Sequence, residues 1–389
     1  MKRKKSLRTV VGGAGMALMA AVALAACGST PSSSSSTTST TATPASSGSS
    51  STTAASSGKF LACEVTDTGG INDRSFNASA YAGLKAAAAV DSNVTYKFLS
   101  STSTSDYTPN INAFIAEHCG IIITVGFDMG TATQTAAAKD PSQKFAIVDF
   151  SYPKTIPNVL ALLYETNQDA FLGGYLAAAM SKSGAVGTFG GQNIPTVTIY
   201  MDGFVAGVRY YDKLNHAHVK ALGWTPKLPR SATNPYNGDG LFTNDFTNQG
   251  LGRTDAQTLM SQGADVIFPV AGSVGLGAAA AVKQAGAGNL MEWVDTDGCI
   301  SAPQYCSLFI TSVTKGIVPS VKTAVLEAAK GTFKGGSYIG TLANGGVALS
   351  PFHDFQSKIP AKVQSELKTI KQGIISGKIS TDPTKYPAG

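Results

Sequence analysis

The segment "VTDTGGINDRSFN", Val65–Asn77, follows the apolar run "KFLACE". An apolar run, a polar turn carrying Gly69 and Gly70, and then Phe76 and Asn77 opening an alanine-rich stretch read as strand, turn and helix. The turn lacks the lysine and glycine spacing that grips a phosphate. It holds acids, amides and an aromatic ring instead, groups suited to a neutral, polar, ring-bearing ligand.

Outward from this turn the same alternation repeats. "KFLACEV" leads to the helix "SFNASAYAGLKAAAA", "VTYKFLS" to "PNINAFIAEH", "GIIITVGF" to "TATQTAAAKD", then "KFAIVDF" and "NVLALLY". Short apolar runs between helical segments predict a parallel sheet covered on both faces. "ETNQDAFLGGYLAAAMSKSG" predicts a helix suited to close packing. At "AVGTFGG" the rhythm starts again, so two successive α/β units are expected. The tail is read as a glycine-rich strand pair, "SYIGTLANGGVALS". A final helix has Val363, Leu367, Ile370 and Ile374 at helical spacing and Pro360 at its first turn. The conspicuous polar segments fall at strand ends: the opening turn, "GFDMGTA", "VAGSVGLG" and "DTDG". Ligand crevices of open parallel sheets lie beyond the carboxyl ends of their strands, so two facing units would share one cleft.

The 389 residues suit about two or three domains. The net charge of +6 concentrates in Lys2, Arg3, Lys4, Lys5 and Arg8, leaving a near-neutral body and no charge argument for nucleic acid. Those residues precede "TVVGGAGMALMAAVALAAC", the pattern of a secretory signal peptide over residues 1–26. "LAAC", ending at Cys27, resembles a bacterial lipobox, which would place a lipid such as palmitate on that cysteine. Residues 27–57 are almost entirely Ser, Thr, Ala, Pro and Gly and read as a disordered tether. The expected location is the extracytoplasmic face of the cell membrane.

Four further cysteines suit export. Cys63 with Cys119, on neighbouring strands, and Cys299 with Cys306, around "ISAPQY", are expected to form two disulfides. No histidine falls at ligand spacing from any of the four, so no metal site is expected. "GSVGLGAA" departs from phosphate-loop spacing, and neither G-x-S-x-G nor H-E-x-x-H occurs. Asp67, Asp128, Asp149, Asp295 and Asp297 near strand ends could form an acid–base pair, but nothing requires catalysis or a cofactor.

"VTDTGGINDRSFN" with "YAGL" resembles the N-terminal signature of the basic membrane protein family, bacterial lipoproteins that include purine nucleoside receptors of ABC transporters. "GFDMGTATQTAAAKDPSQKFAIVDF", "GAVGTFGGQNIPTVTIYMDGFVAGV", "GADVIFPVAGSVGLGAA", "WVDTDG" and "TSVTKGI" resemble successive family blocks over roughly 320 residues. The resemblance implies a type I periplasmic-binding-protein fold: two Rossmann-like lobes of parallel sheet joined by crossover strands. The lobes are expected at 58–165 plus 296–335 and at 166–295 plus 336–389. It implies a monomeric, non-enzymatic receptor that delivers a nucleoside to an ABC permease; a binding lipoprotein or sensor without a permease is the alternative. It also implies that Phe76 and Tyr200, with Phe204 as nearest substitute, stack on the base. Asp67 and Asn77 would be polar partners, and Asp295 and Lys315 would hold the ribose. Gly272 of "VAGSVGLG" counts among the ligand-facing positions. This chain departs from the pattern at "GFDMGTA", where Thr131 takes the usual acid position and an acid appears at Asp128, and at Gly298–Cys299, which replace a glutamine.

Overall fold

The runs "IIITV", "FAIV" and "VIFPV" are apolar at every position but one threonine, and every residue in them is buried. Strands of this kind need cover on both faces. In the computed structural model, which describes residues 58–230 and 235–387, helices supply that cover.

The elements in chain order are β1 (Phe60–Val65), α1 (Phe76–Ala88), β2 (Val94–Leu99), α2 (Tyr107–Ala116), β3 (Ile121–Val125), α3 (Gly130–Lys139), β4 (Phe145–Val148) and β5 (Val159–Tyr164). There follow α4 (Thr166–Met180), β6 (Ala185–Gly190), α5 (Pro195–Asn215), β7 (Lys220–Leu222), β8 (Trp224–Pro226), β9 (Gly238–Gly240), α6 (Gln249–Ser261), β10 (Val266–Val270), α7 (Val274–Ala285) and β11 (Leu290–Asp295). The chain ends with α8 (Gly298–Ser301), β12 (Phe309–Lys315), α9 (Ile317–Ala329), β13 (Gly336–Gly340), β14 (Val347–Leu349) and α10 (Ala361–Ile375). The signal, lipidation and tether readings at residues 1–57 lie outside the described residues.

Two six-stranded sheets result, ordered β13-β5-β4-β3-β1-β2 and β14-β12-β11-β10-β6-β7. The first is wholly parallel; in the second only β14 runs antiparallel, against β12. A small antiparallel pair, β8–β9, flanks the second. Each sheet and its helices form one lobe. The helix pair α4–α5 packs backbone to backbone: a Cβ at Gly174 would lie 1.9 Å from the Phe204 carbonyl oxygen, and one at Gly207 2.0 Å from that of Phe171. Small residues at those positions are therefore a steric requirement.

Two readings are corrected here. The tail "SYIGTLANGGVALS" is not a strand pair. Its first half, β13, joins the first sheet beside β5, and its second half, β14, joins the other sheet beside β12. The lobe boundaries expected at 296 and 336 accordingly move to 316 and 341. β12 is a strand of the second sheet, and β13 a strand of the first. Backbone pairing, which sequence alone does not show, sets the boundaries. With Glu165, this makes three interlobe crossings, and they run together. The Glu165 N–H donates to the Gly340 carbonyl (2.9 Å) and the Gly316 N–H to the Gly346 carbonyl (2.8 Å). A Cβ at Gly346 would lie 2.2 Å from the Gly340 Cα, so the strands touch without side chains between them.

Both expected disulfides form. Cys63–Cys119 ties β1 to the connection two residues before β3 (Cα–Cα 6.0 Å), and Cys299–Cys306 closes the loop around α8 (Cα–Cα 4.5 Å). No described helix is long and apolar enough to cross a membrane.

Candidate functional site

Between the lobes lies a cavity with about 650 Å³ of empty space, partly open to solvent. Its walls come from the last residues of β10, β11 and β12, the residues just after β1, β3, β4 and β10, the starts of α1, α2 and α5, and Phe246. Strand ends and helix N-termini thus converge on one point, as parallel α/β topology dictates.

The opening turn builds one wall. Asp73, buried, accepts hydrogen bonds from the backbone N–H of Ser75 (3.0 Å), Asn77 (2.7 Å) and Ala78 (3.1 Å), satisfying donors that α1 would otherwise leave unpaired. Asn77 donates through Nδ2 to Asp67 (2.8 Å) and Asp73 (3.0 Å), and its Oδ1 accepts the Asp67 N–H (3.2 Å). The turn is therefore rigid before any ligand arrives. Asp67 faces the cavity, and loss of hydration pushes its carboxyl up to about 7 despite the bonds from Asn77 and Gly69. Burial likewise raises Asp73 to about 6.

The opposite wall centres on Lys315, the last residue of β12. Its Nζ lies 2.5 Å from Asp149 Oδ2 and 3.5 Å from Asp295 Oδ1, with all three side chains under 10% exposed. Burial alone would depress the ammonium, but Asp149 and Asp295 outweigh it, and its pKa is raised. Burial also pushes the Asp149 carboxyl up against the pull of Lys315; the direct 2.5 Å contact, with a second acid behind the ammonium, favours the ion pair. Asp149 (φ +67°) and Asp295 (φ +65°) both adopt the left-handed conformation at a strand end, which aspartate tolerates better than most residues. Each lobe thus contributes one such carboxylate to a single lysine.

Aromatic rings complete the lining. The Lys315 ammonium is 4.9 Å from the Phe76 ring centroid and 5.0 Å from that of Tyr200. Tyr200 is buried, its hydroxyl donating to Asp295 Oδ1 (2.9 Å). Burial and the nearby acids raise its pKa, which keeps that hydroxyl a neutral donor. Phe246 and Phe127, both half-buried, line the same cavity. The Phe246 Cβ comes within 3.8 Å of where a Gly69 Cβ would stand, from the other lobe.

Two polar links cross the cleft. Ser75 Oγ, at the start of α1, donates to Asp295 Oδ2 (2.8 Å) and lies 3.1 Å from the Val294 carbonyl oxygen. Asp149, in the first lobe, pairs with Lys315 in the second. The lobes are linked through Ser75 and through Asp149, Asp295 and Lys315, the last three of which line the cavity.

Of the residues predicted from sequence, Asp67, Phe76, Asn77, Asp128, Tyr200, Gly272, Asp295 and Lys315 line this one cavity. Two do not. Thr131 is exposed on the first turn of α3, and the acid that reaches the cavity from that segment is Asp128. Phe204 is fully buried one helical turn beyond Tyr200 and stacks on Phe268 (5.5 Å, 30°), so it belongs to the core. Sequence reading missed Asp73, Ser75, Phe127, Thr196 and Phe246 as lining or bridging residues, and placed Asp149 only among strand-end acids. Asp73 and Ser75 sit inside the opening stretch, where an aspartate just before a helix is a residue type suited to capping it. Phe246 sits in an irregular connection that carries no periodic signal.

A family model described as ABC transporter substrate-binding protein PnrA-like (Bmp) matches residues 60–228 and 241–382. The ABC transporter nucleoside-binding protein BmpA of Lactococcus lactis is 28% identical over 340 residues, covering 83% of this chain and 89% of that protein. The CD4+ T-cell-stimulating antigen of Listeria monocytogenes is 30% identical over 345 residues, with 83% and 88% covered. Among solved structures, an ABC transporter system solute-binding protein from Aeropyrum pernix K1 superposes with a TM-score of 0.72 at 25% identity, covering 82% of this chain and 92% of that one.

Proposed function

Because this chain belongs to the Bmp family of PnrA-like ABC transporter substrate-binding proteins, we propose that its cleft captures a nucleoside, with a purine the best fit, and presents it to a membrane permease. The observation that carries the reading is the cavity itself. Aromatic faces from both lobes, Phe76 and Phe246, share it with a carboxylate–ammonium group, Asp295 and Lys315. A nucleoside offers a flat base for the first pair and vicinal hydroxyls for the second. Stacking contributes about 1–3 kcal/mol per base whatever the base. The charged pair supplies sugar selectivity, because buried polar groups left unmatched are costly. Tyr200, its ring against Lys315 and its hydroxyl on Asp295, backs the sugar subsite, and Phe246 takes the second stacking face. Asp67 and Asp128 face the base edge. Asp67, titrating near neutrality, can present either a carboxylate or a hydroxyl. The 28% identity to a protein named as nucleoside-binding supports this assignment.

No step of bond chemistry is proposed; ligand held by both lobes favours the closed form. A lipid on Cys27 and a tether to residue 57 would keep the receptor beside its permease on the outer face of the membrane. Calorimetric titration of the purified chain with purine and pyrimidine nucleosides, free bases and ribose tests the reading. Nucleosides are expected to bind roughly 5- to 150-fold tighter than ribose, the range of one stacked base. Failure of every nucleoside to bind refutes the assignment.

A further inference from the structure

A second space adjoins the first at Lys315. It holds about 370 Å³ of empty volume, partly open to solvent, and Asp149, Thr196 and Lys315 belong to the linings of both. Its other walls are mostly apolar: Leu163 and Tyr164 at the end of β5, Ile199 near the start of α5, and Tyr236. Tyr164 is buried and shares a hydrogen bond with Ser320 Oγ (2.6 Å), which occupies its hydroxyl, so what it offers a guest is its ring.

One polar group in this lining lacks a role in the free protein. Thr166, which opens α4, is 0% exposed, and its Oγ1 has no hydrogen-bond partner among the described residues. A buried hydroxyl left unmatched is costly, and a guest carrying an acceptor would satisfy it. Water suits the space poorly, because an ordered water needs two to four polar partners and the walls are largely hydrocarbon. A short alkyl group with one weak acceptor suits both the walls and Thr166.

Charge narrows the guest further. Asp149 stands between the two spaces, and Lys315 is already neutralised between Asp149 and Asp295. A phosphate entering here would meet net negative charge, so the lining disfavours nucleotides.

The position of the space says which part of a ligand it meets. In a nucleoside bound as proposed above, C1′ carries the base toward Phe76 and Phe246, and the vicinal hydroxyls engage Asp295 and Lys315. The remaining carbon with a substituent to project is C5′. We propose that the second space receives this C5′ substituent, and that the protein takes nucleosides bearing a short thioether or ether there, the 5′-alkylthio nucleosides foremost. The inference rests on the nucleoside reading of the first cavity and deepens it.

The test is a calorimetric titration of the full chain. Adenosine and guanosine are each compared with their 5′-deoxy-5′-methylthio and 5′-monophosphate derivatives. The methylthio derivative is expected to bind about fourfold tighter than its parent, the value of one buried methylene. The monophosphate is expected to bind about tenfold weaker or worse. Leu163→Trp and Ile199→Phe fill the space from two different elements. Each is expected to remove the methylthio advantage and to leave the parent within about twofold. A methylthio derivative that binds no tighter than its parent overturns the proposal and leaves the nucleoside reading standing. So does a monophosphate within about tenfold of its parent, or an advantage that survives in both filled variants. Failure of every parent and derivative to bind removes both readings together.

Discussion

Replacing Lys315 by methionine keeps the stem and removes the charge. At an effective permittivity of about 20, the 2.5 Å and 3.5 Å contacts to Asp149 and Asp295 correspond to about 7 and 5 kcal/mol of attraction. Desolvation of the three ions offsets most of that, so the pair itself is a modest net stabiliser. The variant suffers for another reason: Asp149 and Asp295 stay buried, with no cation between them. Breaking a buried pair from one side costs about 3–5 kcal/mol, and we expect about 4 kcal/mol at pH 8. The sign of the pH dependence follows from Asp149, whose carboxyl already lies above its ordinary value because of burial. Losing Lys315 raises it further. A raised acid stabilises the folded state fully below its unfolded pKa, about 4, and that contribution is lost as pH rises through the folded value. The deficit of Lys315→Met should therefore grow from pH 5 to pH 8. Urea unfolding followed by circular dichroism at both values measures it. Adding Asp149→Asn should recover part of the loss. A deficit below about 1 kcal/mol at pH 8, or one that does not change with pH, would refute the ion-pair argument.

Four other outcomes follow from the geometry. Phe76→Ala should weaken nucleoside binding by roughly 5- to 150-fold, the range of one stacking face, as read by calorimetry. Ser75→Ala removes a cross-cleft bond but no helix cap, because the Ser75 side chain caps nothing; it should shift the free protein toward a more open form in small-angle scattering, at a stability cost of about 1–3 kcal/mol. Cys63→Ala/Cys119→Ala, opening a loop with a separation of 56, should cost about 4 kcal/mol, against about 2.5 kcal/mol for Cys299→Ser/Cys306→Ser with a separation of 7, as compared by thermal unfolding. Asp67→Asn should flatten the stability profile between about pH 4 and pH 7, because a carboxyl raised to about 7 loses stability for the fold as pH climbs through that window.

Apolar periodicity sufficed for the layered architecture and most of one wall of the site. Unbroken apolar runs such as "IIITV" have one stable use, as strands covered on both faces, and the polar segments after them had to lie at carboxyl ends. Asp67, Phe76 and Asn77 were legible because they are local: ten residues of turn and helix cap position all three. Glycine and alanine in "AFLGGYLAAAM" announced close packing, and α4–α5 packs that way. What the sequence could not decide was long-range pairing. "SYIGTLANGGVALS" reads as a hairpin because its glycines resemble a turn, yet its halves join different sheets, since β5 and β12 each offered a free edge. Lys315 and Asp149, 166 positions apart, meet only because two strand ends face each other across the cleft. Thr131 and Phe204 had a helical phase that no spacing could orient, and tertiary packing turned one to solvent and the other into the core. Phe246 stands in an irregular connection, where neither period 2 nor period 3.6 exists to be read, and only the folded chain gives it its neighbours.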